Sequence, residues 1–205
     1  LNGFTLTDAQ GRVEPAADLF IERQRLGSLA GEDDRLVFRT SHLDLTRVRR
    51  LAGYLPIPEG ARDLLAKTQP KGILDNVKAS IGLKNDVPAQ YELQAGFKGL
   101  SVKAEDGTRF VRNLSGKINL NQGQGQLTLD SANTTLAAPG ILPISEVPLT
   151  ELSGKISWQR DAGALAVKLK SLQLRNDDLS AAVNGSWTGK LGADVSERDR
   201  AGEID

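Results

Sequence analysis

Apolar and polar residues alternate with a period of two through most of residues 70–187. Ile118 and Leu120 alternate with Lys117, Asn119 and Asn121. After a turn-like stretch from Asn121 to Gly125, Leu127 and Leu129 alternate with Gln126, Thr128 and Asp130. The opening of this unit, "LSGKI" at Leu114–Ile118, recurs at Leu152–Ile156. There Ile156 and Trp158 lead through "RDAG" to Leu165, Val167 and Leu169. Such alternation sends apolar side chains to one face of a strand and polar ones to the other. Gly and Asn between the runs suit hairpin turns. Each copy therefore reads as a one-faced hairpin, which cannot bury its apolar face alone and must add strands beside itself.

The same period extends outward. Ile73, Val77, Ile81 and Leu83 are assigned to one face, and Tyr91, Leu93, Ala95 and Phe97 to one face of the next strand. Leu100 and Val102 follow, and later Leu172 and Leu174, then Leu179, Ala181 and Val183. Upstream, "FTLT" at 4–7, "ADLFIERQ" at 17–24 and "RLVFRTSHLDL" at 35–45 alternate imperfectly. Between them and the long run the period changes. Val48, Leu51, Ala52 and Leu55 have helical spacing, with Thr46 as the expected N-cap. A second short helix is expected to open at Pro58 and to turn Ala61, Leu64 and Leu65 inward. The organisation predicted is a β meander over 1–45, a short helical insertion over 46–69, a longer β meander over 70–187 with hairpin repeats at 114–131 and 152–171, and a polar strand or tail over 188–205. The fold class is mainly β: a curved antiparallel sheet with a two-helix insertion.

Composition narrows the function. The 205 residues suffice for a sizeable core, and 26 basic residues balance 26 acidic ones. That balance and the few aromatics argue against a nucleic-acid partner, which needs cationic and stacking surfaces. Cysteine is absent, which removes disulfides and thiol chemistry. Methionine is absent even at position 1, so an interior segment of a longer protein is expected. No apolar run is long enough to cross a membrane as a helix.

Candidate chemistry is sparse. The single histidine, His42, shares a strand face with Asp44 but has no further ligand in sequence reach. Asp33-Asp34 and Asp177-Asp178 suit loops, and Gly123-Gln-Gly125 lacks the lysine of a phosphate loop. Arg47, Arg49 and Arg50 form either a solvated helix face or a contact for anionic head groups. No catalytic residue, metal site or cofactor is expected.

What remains is the apolar face. Its expected lining is Ile73, Val77, Ile81, Tyr91, Leu93, Phe97, Ile118, Leu120, Leu127, Leu129, Ile156, Trp158, Leu165, Val167, Leu169, Leu174 and Val183. One reading is a closed sandwich core, which requires a second sheet of similar area. The other is a single sheet whose apolar side forms an open trough. A strand of five or six residues spans roughly 17–20 Å, comparable with half of a ~30 Å hydrocarbon layer.

The succession "HLDLTRVRRLAGYLP", "KGILDNVKA", "FKGLSVKAEDGTRFVRNLSGKINL" and "PLTELSGKISWQRDAGALAVKLKS" resembles the YhdP-type branch of the AsmA-like proteins, over most of residues 35–187. The resemblance implies an internal piece of a long envelope protein, anchored in the inner membrane and extending through the periplasm. It implies a hydrophobic β-groove that takes phospholipid acyl chains between the two membranes, with neighbouring groove segments of the same chain as partners. It carries no catalytic residues. Exposed edge strands also predict edge-to-edge self-association of the isolated piece. The alternative kept beside it is a structural or protein-binding β module with a closed core.

Overall fold

The computed structural model describes residues 18–25, 33–53, 59–84, 87–104, 107–137, 139, 146–161, 163–190 and 202–204. Its strands are β1 (Leu19–Arg25), β2 (Asp33–Asp44), β3 (Lys71–Lys84), β4 (Val87–Lys103), β5 (Phe110–Asn121), β6 (Gln124–Ala137), β7 (Val147–Asp161), β8 (Ala164–Arg175), β9 (Ser180–Lys190) and β10 (Gly202–Ile204). Two helices, α1 (Leu45–Leu51) and α2 (Glu59–Thr68), connect β2 to β3. All ten strands form one sheet whose order is the order of the chain, each neighbouring pair antiparallel. Among the described strands β1 and β10 stand at the two ends of this order and do not pair with each other, so the sheet is open. This is the mainly β meander with two short helices that the alternation predicts.

Register makes the two-faced pattern continuous across the whole sheet. One row runs Ile21, Phe38, Ala79, Leu93, Leu120, Gly125, Trp158, Val167 and Trp187. A parallel apolar row runs Ala95, Ile118, Leu127, Ile156, Leu169. Between them, on the other face, lies Arg39, Lys78, Gln94, Asn119, Gln126, Ser157, Lys168 and Ser186. Slipping any strand by one residue would exchange these faces, which pins the register.

The strands are longer than the sequence reading assumed. From β2 to β9 they run 11 to 17 residues, and β4, at 17, spans about 55 Å at ~3.3 Å per residue. Residues that look like turn signals lie inside continuing strands. Asn76, Gly99, Asn113, Asn133 and Ser171 have φ of 49°, 60°, 60°, 55° and 50°. Residues at these angles interrupt the pleat and shift which side chains share a face. Hence apolar side chains three apart, such as Phe97 with Leu100 across Gly99 and Val111 with Leu114 across Asn113, join one cluster.

Side chains repair the ladder along this seam. Asn113 Nδ2 donates to the carbonyls of Ala132 and Asn133, both at 3.1 Å. Ser115 N–H donates to Ser131 Oγ at 2.7 Å, and Ser131 Oγ donates back to Ser115 O at 2.8 Å. Ser171 N–H donates to Asn184 Oδ1 at 2.8 Å. Ser131 and Thr134 are buried, and each has a hydrogen-bond partner, as buried hydroxyls require.

The helices differ from expectation in detail. Asp44, not Thr46, caps α1: its Oδ1 accepts from Thr46 N at 2.7 Å and Arg47 N at 3.4 Å. A carboxylate there also meets the positive end of the helix dipole. Leu55 and Pro58 lie outside the described residues. Leu64 is exposed at 62%, and the substantial contacts of α2 are with α1. No described helix is long and apolar enough to cross a membrane.

The substantial contacts all run between neighbouring strands, or join α1 to β2, β3 and α2. Among the described residues no second β layer covers the sheet.

Candidate functional site: the uncovered apolar face

Burial along the apolar face is graded. Near the seam, Phe97 (2%), Leu114, Leu129 (5%), Leu149 (1%) and Leu152 form a tightly buried cluster. Leu74, Leu100, Val111, Leu136, Val147, Leu172 and Leu174 pack against it, and so do Ile118, Leu127 and Ile156, which lead toward the hairpin tips. Toward the hairpin tips the same face opens. Ile118, Leu120, Leu127, Ile156, Trp158, Leu165, Val167 and Leu169 are half-buried, and Tyr91 and Trp187 are exposed at 48% and 41%.

At the open end lies a hollow of about 450 Å³ lined by Tyr91, Asn121, Gln122, Gly123, Trp158, Arg160, Leu165 and Val167. Tyr91 is on β4 and Leu165 on β8, four strands away. In a flat sheet they would stand about 19 Å apart. Here they border one hollow together with the β5–β6 tip.

That tip is locally built. Asn121 Oδ1 accepts from Gly123 N at 2.8 Å and Gln124 N at 2.9 Å, which closes a two-residue loop. Arg160 N–H donates to Gly123 O at 2.6 Å and ties β7 to the same tip. Gly125 leaves room for Trp158: a Cβ there would lie 2.1 Å from the indole Cζ2.

The polar face is hollowed too. A depression of about 550 Å³ is lined by Asn119, Gln126, Ser157, Lys168 and Ser186 together with Trp158 and Trp187. A strongly twisted sheet is saddle-shaped, concave on each face along a different diagonal. The two hollows differ in chemistry: one sets Tyr91, Trp158, Leu165 and Val167 beside two amides and a single charged residue, the other has more amide and hydroxyl side chains.

Most of the predicted lining falls on the apolar rows. Val77 is buried opposite Thr40, Ile81 pairs with Tyr91, Leu174 with Leu152, and Val183 with Leu172. Ile73 stands apart: the register sets it against Asp44 and Lys98, and Leu74 takes the place opposite Phe97. The bulge at Asn76 causes this exchange. Leu74, Leu114, Leu149, Leu152 and Trp187 belong to the face without having been singled out. Apolar spacing of three around an Asn is the signal that would have found Leu74, beside Val77 across Asn76, and Leu114, beside Val111 across Asn113.

The candidate chemistry resolves structurally. Asp44 is a helix cap, and no cluster of potential metal ligands occurs among the described residues. Asp34 is not in a loop but buried in β2, where it pairs with Arg23 and, at 3.9 Å, Arg25. Asp177 and Asp178 form the β8–β9 turn, where Asn176 Oδ1 accepts from the N–H groups of Asp178 and Leu179.

The class the fold defines is a single open antiparallel meander with one apolar face that no second β layer covers among the described residues. The family model described as YhdP protein matches residues 1–201, and the chain belongs to that family. No curated protein and no solved structure matches the chain significantly.

Proposed function

We propose that this chain is one stretch of a periplasmic groove, within a longer protein anchored in the inner membrane, that carries phospholipid between the inner and outer membranes. The carrying observation is the uncovered apolar face, half-buried and open beside Tyr91, Trp158, Leu165 and Val167. Acyl chains lying on it would leave water at about 0.8 kcal/mol per methylene. The crowded cluster around Phe97 and Leu149 acts as a core that holds the sheet, so lipid uses the open half. Neighbouring groove segments would continue the sheet beyond the two ends of the strand order, β1 and β10. Nothing in the proposed process uses a cofactor, and the lipid moves passively along the surface. Denaturing mass spectrometry of the purified chain tests this reading. Co-purifying phospholipid is the expected result; a lipid-free chain that also takes up none from vesicles overturns it.

A further inference from the structure

Most arginines on the strands have an acidic or aromatic neighbour. Arg35 pairs with Glu92 at 2.6 Å, Arg112 with Glu146 and Arg175 with Glu151 at 3.4 Å each, and Arg23 and Arg25 converge on Asp34. Arg39 stacks on Phe20. Arg160 differs: among the described residues its guanidinium has no ion-pair partner. It is also the one charged residue lining the apolar hollow, beside Trp158, Leu165 and Val167. Alternation along β7 sends its neighbour Asp161 to the opposite face. The backbone bond from Arg160 to Gly123 holds this position against the β5–β6 tip. A cation at the mouth of an apolar cavity complements a molecule with an anionic head and a long apolar body.

We propose that Arg160 binds the phosphodiester of a phospholipid whose acyl chains lie on Trp158, Leu165 and Val167. Its planar fork of N–H donors matches two phosphate oxygens at once. This inference rests on the proposed lipid-carrying function and adds what that reading lacks, a point that recognises the head group.

The test offers the chain phosphatidylcholine vesicles that carry either fluorescent phosphatidylglycerol or fluorescent diacylglycerol, which has the same tails without phosphate. Arg160→Gln should take up about tenfold less phosphatidylglycerol, the loss expected for one charge-assisted hydrogen bond. Its uptake of diacylglycerol should match the unsubstituted chain, and Arg160→Lys should recover part of the phosphatidylglycerol uptake. Circular dichroism checks that the exposed substitution leaves the sheet intact. Equal behaviour of Arg160→Gln and the unsubstituted chain toward both probes, or an equal loss of both, overturns the assignment. So does full displacement of phosphatidylglycerol by inorganic phosphate, which would mark a free-phosphate site. Failure of the unsubstituted chain to take up either probe would instead overturn the groove reading itself.

Discussion

Gly154, in the second "LSGKI" copy, has φ of 140°, and a Cβ there would lie 2.7 Å from both Leu172 Cα and Ser171 O. Gly116, its counterpart in the first copy, faces Thr128 O, which an added Cβ would approach to 2.1 Å. The repeated phrase therefore preserves a close passage of backbone over backbone, with Leu114 and Leu152 filling the core beside it. Gly154→Ala should lower stability by more than about 2 kcal/mol in urea denaturation. Gly53→Ala, where an added Cβ meets nothing within 4 Å, should stay within about 0.5 kcal/mol. Asp44→Ala removes the cap of α1 and should lose about 1 kcal/mol by the same measurement.

At the scale of elements, the seam decides how the strands behave. Ser131 is buried and exchanges two hydrogen bonds with Ser115, so Ser131→Ala leaves the Ser115 N–H without its partner. A loss of about 1–3 kcal/mol is expected in equilibrium unfolding, with the sheet spectrum unchanged. The seam also marks where the sequence was legible and where it was not. Period-two runs such as Ile118–Leu120 and Leu127–Leu129 revealed hairpins and faces, because register in a one-sided sheet follows hydrophobicity. Strand length and the exchange of Ile73 for Leu74 were hidden. Asn76, Gly99, Asn113 and Asn133 adopt within strands the same positive φ that turns use, and a strict period of two, carried from Ile73 to Val77 across Asn76, misses the shift. The helix periodicity was visible in Val48, Leu51 and Ala52, but which face of α2 met a partner depended on packing that sequence spacing does not carry.

Across the described sheet, burial of the apolar face is graded: a buried cluster holds the fold, and a half-buried part is where the proposed groove would take an apolar ligand. Substitution should separate them. Leu129→Asp places a carboxylate in the sealed cluster and should abolish cooperative unfolding. Val167→Asp, beside the open hollow, should keep a cooperative transition while lipid co-purification falls. Because the polar face is hollowed as well, the decisive question is which face meets acyl chains. A photoreactive phenylalanine placed in turn at Val167 and at Lys168, adjacent residues on opposite faces, answers it. Irradiation in the presence of phospholipid, followed by mass spectrometry of the intact chain, should give lipid adducts at Val167 and none at Lys168. Adducts at Lys168 alone, or equally at both, would contradict an apolar lipid-carrying face.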